Sequence, residues 1–133
     1  MGNEHINEGV HVHNVAAVAT ISFAHPKHNC FPQAQLKALT DAIDTCAQDD
    51  TVRVILLQSD PTKAFCAGAS FDELLAVQTP QQGKRFFMGF ANLINAMRLC
   101  SKPIVGRIHG KAIGGGVVIV AACDYAIATT TAA

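Results

Sequence analysis

Gly114, Gly115 and Gly116 follow one another between an apolar stretch at 103–109 and a second at 117–123. The first stretch has strand character and the second helical, so the triplet sits where a strand gives way to a helix. Three glycines there leave backbone N–H groups bare at the positive end of the helix, and a negative oxygen can approach without meeting a Cβ. That is anion-binding geometry. One such N–H can help to hold a developing oxyanion. The triplet can equally serve close packing of a helix on a sheet, and on the glycines alone both readings stay open. A second segment, Ala64-Phe65-Cys66-Ala67-Gly68-Ala69, also leaves a strand, enters a helix and carries small side chains around its turn. Two such turns on consecutive crossovers can aim two N–H groups at one oxygen.

Nucleotide sites are the rivals, and spacing removes them. Gly106 and Gly110 are separated by three residues where a P-loop needs four, and Ala112 stands where that loop needs Ser or Thr for magnesium. No set of glycines satisfies GxGxxG. His11 and His13 share one side of a strand, yet no third ligand follows at metal-site spacing, so no metal is expected.

The elements that position these turns read as α/β. Residues 10–15 and 16–23 are β-branched and apolar, and His13-Asn14 suits a hairpin turn between them. Pro32 opens a helix in which Leu36, Leu39, Ile43 and Cys46 recur at helical spacing over about four turns. Residues 52–58 form an almost wholly apolar strand of the kind buried in a parallel sheet, ended by Ser59-Asp60-Pro61. Residues 71–77 read as a short helix. Thr79-Pro80 then starts another, whose stripe of Phe86, Phe90, Leu93, Ile94 and Met97 is core material. Residues 124–129 give one more strand. Nothing divides the chain, so 1–133 is expected to be a single core.

With 133 residues, half of them hydrophobic, the chain has material for one globular domain. Ten basic residues balance ten acidic ones, which argues against nucleic acid or an anionic membrane as the main partner. No apolar run reaches membrane-spanning length, and the polar start Met1-Gly2-Asn3-Glu4-His5 lacks a secretory pattern, so a cytoplasmic protein is expected. Five cysteines, none in a CxxC arrangement, read as reduced core residues.

Phe65-Cys66-Ala67-Gly68-Ala69 is followed by Lys102-Pro103, Gly110, Gly114-Gly115-Gly116 and Ala122-Cys123-Asp124. In that order and spacing the chain resembles the enoyl-CoA hydratase/isomerase superfamily, the crotonases, over most of residues 15–129. The resemblance implies a spiral of repeated β-β-α units, incomplete at the C-terminus, with the thioester carbonyl of an acyl-CoA held between two backbone N–H groups. Ala69 and Gly115 would supply those donors, and losing one donor from such a hole costs roughly 3 kcal/mol of barrier. Gly68 and Gly114 would line the same turns, and the Ala67 carbonyl would meet the adenine of CoA. His25-Pro26-Lys27-His28-Asn29-Cys30 resembles the family's early CoA-contacting loop, with Lys27 at a phosphate and Cys30 along the pantetheine. A solvated surface lysine is the other reading of Lys27. Ser70 and Phe71 would border the acyl pocket.

The resemblance further implies 2-enoyl-CoA hydration, with coenzyme A entering as part of the substrate and no separate cofactor. A homo-oligomer, trimer or hexamer, is expected of the full-length protein. The departures bear on chemistry and length. Water addition needs a base and an acid, commonly two glutamates in this family. Val118 occupies the position of the first, and the second would follow Ala133. Branches similar to bacterial methylglutaconyl-CoA hydratases share a Gly-Gly-Gly-Val start. A catalytically silent acyl-CoA-binding or assembly module, or an isomerase or decarboxylase, are the alternatives. Asp72 and Glu73 read as solvated helix-surface residues. The chain reads as an amino-terminal portion, with the apolar faces of 117–122 and of the 86–97 stripe left partly uncovered and prone to association.

Overall fold

The computed structural model describes residues 5–133; the polar start Met1 to Glu4 lies outside the described residues. In chain order the elements are β1 (Gly9–Val15), β2 (Val18–Ala24), α1 (Gln33–Gln48), β3 (Val54–Ser59), α2 (Phe71–Leu75), α3 (Pro80–Leu99), β4 (Ile104–Ile108), α4 (Gly115–Ala122) and β5 (Tyr125–Ala128). One sheet holds the strands in the order β1-β2-β3-β4-β5. The first pair is antiparallel and every later pair is parallel, each parallel step being made through helical chain.

The hairpin turns at Ala16-Ala17 rather than His13-Asn14. Both alanines take left-handed backbone, with φ 49 and 71, and Val15 pairs with Val18. Such a two-residue turn matches the twist of the strands, which is why Asn-Gly is the usual signal for it. With the turn at 16–17, Ala19, Ile21 and Phe23 of β2 alternate into the core.

The strands bury alternate residues. Ala19, Ile21 and Phe23 of β2, Ile55 and Leu57 of β3, and Ile104 and Ile108 of β4 join Leu36, Leu39 and Ile43 of α1, Leu93 and Met97 of α3 and Ile119 of α4 in one cluster. Each fully buried Leu or Ile is worth roughly 1.5–3 kcal/mol. The cluster lies on one face of the sheet; Thr20, Ser22, Leu56, Gln58, Val105 and Arg107 alternate onto the other and stay half-buried. β3 is thus covered on one face, not on both as its apolar run suggested. Gly89 lets α3 cross α1 closely, since a Cβ there would come within 2.4 Å of the Gln33 side chain. Of the α3 stripe, Phe86, Leu93 and Met97 are buried and Phe90 and Ile94 are partly buried. Apolar exposure remains on Phe87, Met88 and Leu99 of α3, on Val117 and Val118 of α4, as expected, and on Tyr125 and Ile127 of β5.

The exit of β3 is fixed by Asp60, whose side chain is fully buried. Burial alone would raise its pKa. The Thr62 N–H and hydroxyl, at 2.9 and 2.7 Å, and the Lys63 ammonium, at 3.2 Å, outweigh that and hold it at about 2. His5 Nδ1 adds a contact at 2.8 Å. A carboxylate depressed from 3.8 to about 2 contributes stability that is complete above the ordinary value and disappears as pH falls through the folded one. Denaturant midpoints should therefore drop between about pH 4 and pH 2, and Asp60→Asn should flatten that slope; an unchanged slope in the variant would contradict the assignment.

Candidate active site

Two chain segments meet beyond the ends of β3 and β4. Cys66 N–H donates to the Lys111 carbonyl at 3.2 Å and Ile113 N–H to the Cys66 carbonyl at 3.0 Å, an isolated parallel bridge between Cys66 and Ala112. This stitch brings the first glycine turn against the second. Gly68 has φ 88, and a Cβ on it would lie 2.8 Å from the Ile113 carbonyl oxygen and 3.0 Å from the Gly115 nitrogen. A Cβ on Gly116 would sit 2.4 Å from the Cys66 carbonyl oxygen. Only hydrogens at these two positions permit the contact.

Gly114 caps α4 with φ 56 and ψ −123, and a Cβ there would meet open space. Gly115 begins the helix, so its N–H has no partner within it. On the other turn, Phe31 N–H donates to the Gly68 carbonyl at 2.7 Å, and Phe31 and Ala69 form a second parallel bridge. Among the described residues, no hydrogen bond is donated by the Ala69 or the Gly115 N–H. Both are thus available to a ligand, beside turns whose glycines touch. Gly115 also answers the packing reading, because a Cβ on it would come within 2.6 Å of the Phe90 ring of α3.

The remaining residues singled out in the sequence divide. Ala67 and Ala69 are half-buried in the first turn and Gly68 is buried. Ser70 is buried as the N-cap of α2, its hydroxyl accepting from the Glu73 N–H at 3.3 Å. Phe71 is 74% exposed, and with Leu75, Val117 and Val118 it makes the surroundings of the turns apolar. Cys30 is buried with its Sγ 3.5 Å from His25 Nδ1, and burial pushes its thiol above the ordinary range. Cys66 is pushed up to about 12 by burial, which keeps it a neutral thiol and no nucleophile. A groove of about 800 Å³ between α1 and α3, with Lys37, Asp41, Arg85 and Asn92 on its walls, includes no residue of either turn.

Asp72 and Glu73 are engaged rather than merely solvated. Asp72 pairs with the Lys27 ammonium, and the hydrogen bond to that carboxylate raises the lysine's pKa. Glu73 Oε1 accepts from the Gln33 N–H at 2.8 Å. Pro32, at the N-cap of α1, offers no side-chain acceptor, so a carboxylate from α2 does that work across the fold. The orphan donor beside a proline cap was the one sequence signal for it. His11 Nε2 lies 3.0 Å from the Asn7 carbonyl oxygen, and among the described residues no three metal-ligating side chains gather.

Two abutting glycine turns at the carboxyl ends of neighbouring parallel strands, with free N–H groups on both, set this chain in the crotonase fold class. The profile of the Enoyl-CoA hydratase/isomerase family matches residues 13–133, and the chain belongs to that family. It is 32% identical to mouse methylglutaconyl-CoA hydratase over 104 residues, 78% of this chain and 33% of that protein. It is 30% identical to a 6-oxocyclohex-1-ene-1-carbonyl-CoA hydrolase of Geobacter metallireducens over 113 residues, 83% of this chain and 30% of that protein. A crystal structure of an enoyl-CoA hydratase from Mycobacterium smegmatis superposes with TM-score 0.88 at 30% identity, over 95% of this chain and 49% of that one. The chain thus spans about a third of these curated relatives.

Gly115→Ala should force the Phe90 ring aside and lower stability by about 1–3 kcal/mol, the usual range for overpacking. Adding Phe90→Leu should recover part of the loss in urea unfolding. Full stability of the single variant, or no recovery in the double one, would contradict the contact.

Proposed function

We propose that this chain forms the thioester-binding part of an acyl-CoA enzyme, and that the whole protein adds water across a 2-enoyl-CoA. The contact between the two turns carries the reading. It sets Gly68 against the Gly115 nitrogen, and in this reading the Ala69 and Gly115 N–H groups together hold a thioester oxygen as it gains charge. Donors fixed before the charge develops need no reorganisation, and each is worth roughly 3 kcal/mol in such holes. Gly68 keeps the two turns in contact and Gly114 faces open space where the oxygen can enter, and the Ala67 carbonyl and Cys30 lie along the path of the CoA moiety. Lys27 meets a phosphate after giving up Asp72. Ser70 acts here through the α2 cap, and exposed Phe71 takes the acyl side. Coenzyme A enters as part of the substrate.

The proton-transfer groups have to come from elsewhere in the protein. Val118 is 47% exposed at the place of the family's first glutamate, and Glu73 is committed to the start of α1. Val118 is also the observation that favours a second reading, a silent acyl-CoA-binding module. That two relatives carry the names of a hydratase and a hydrolase keeps the reaction itself open to test.

Calorimetry with butyryl-CoA tests the binding, and the absorbance of the conjugated thioester of 2-butenoyl-CoA follows hydration. Saturable binding is expected, tightened about threefold by Asp72→Asn, which frees Lys27 for phosphate. No binding by either form would overturn the proposal. Binding without loss of absorbance would select the silent module.

A further inference from the structure

Asn29 is fully buried, although it sits in the loop between β2 and α1 with a left-handed backbone, φ 58. Its amide is almost completely used. Oδ1 accepts from the His25 N–H at 2.9 Å, while Nδ2 donates to the Asp60 carbonyl at 3.1 Å and to the Ala64 carbonyl at 2.8 Å. The first bond closes the loop that carries Lys27. The other two reach the segment that enters the first glycine turn. Two residues later, Phe31 N–H holds the exit of that same turn through the Gly68 carbonyl at 2.7 Å. The loop therefore grips the 64–69 segment at both ends, and the entry grip is a single side chain.

The far side of the grip is itself rigid. Asp60 N–H donates to the Phe23 carbonyl at 3.0 Å, and the Asp60 carboxylate is held by Thr62 and Lys63. Only a primary amide meets the demand at position 29, with one acceptor and two donors on a short side chain that tolerates left-handed backbone. Aspartate has the shape but would set a carboxylate oxygen against two carbonyls.

We propose that Asn29 is a positioning residue: it locks the Lys27 loop in register with the Ala69 turn, so that one ligand is held at its phosphate end and its thioester end together. The inference rests on the thioester-binding reading above. Two anchors in fixed relation make the second contact intramolecular, and a loose relation forfeits that gain. A residue that only stabilised the fold would weaken every ligand alike.

The test compares butyryl-CoA with S-butyryl-pantetheine, which lacks the nucleotide phosphates, on the full chain and on two variants. Asn29→Gly keeps the backbone conformation and deletes the amide; Asn29→Asp keeps the shape and reverses the donors. The unsubstituted chain should prefer the CoA thioester by about tenfold, and both variants should lose most of that preference while binding the pantetheine thioester within about twofold of the original. Equal losses for both ligands, or no loss, would overturn the positioning role with thioester binding intact. Should the unsubstituted chain bind neither ligand, the thioester reading fails, and hydrogen exchange decides the register lock. Asn29→Gly should speed exchange of the Phe31 and Cys66 amides, which donate to the Gly68 and Lys111 carbonyls, about tenfold while α1 stays protected. Unchanged exchange at those amides would overturn it.

Discussion

The parallel bridge between Cys66 and Ala112 is the constraint on which the rest of the site depends. It forces two turns from separate crossovers into van der Waals contact, and that contact fixes which residues can stand at 68 and 116. A methyl group at either would collide with backbone, and backbone cannot step aside as the end of a side chain can. At Gly115 the start of α4 leaves an N–H unspent, and among the described residues the Ala69 N–H has no partner either. The glycines are thus accounted for by close packing of the two turns.

Around that stitch, polar side chains are spent on holding loops. Asn29 ties the β2–α1 loop to the approach of the first turn, Asp60 braces the β3 exit, and Glu73 caps a helix that begins with proline. The Asn29 and Glu73 bonds join segments 31 to 40 residues apart, while the Asp60 bonds close a local turn. Buried polar groups are costly unless satisfied, so once satisfied they select one loop geometry over its neighbours.

Much of the fold was legible because its signals are local. The stripe of α1, the alternation of the strands and the glycine triplet each declare themselves within a few residues, and Pro32 and Thr79-Pro80 mark helix starts by backbone chemistry alone. The hairpin turn at 16–17 was hidden because its two alanines take left-handed backbone and carry no local turn signal. The one-sided cover of β3 was hidden as well, since Val54, Leu56 and their neighbours are apolar on both faces of the strand.

The sequence by itself determined the order of elements, the family and the two turns, because glycine spacing and apolar periodicity act over short distances. Tertiary structure decided which residues touch. It set Gly68 beside the Gly115 nitrogen, gave Asp72 to Lys27 and Glu73 to the start of α1, and buried Asn29 between two loops. Those partners lie tens of residues apart, and no local pattern encodes them. They become neighbours only when the helices pack on one face of the sheet and bring the loops at the strand ends together.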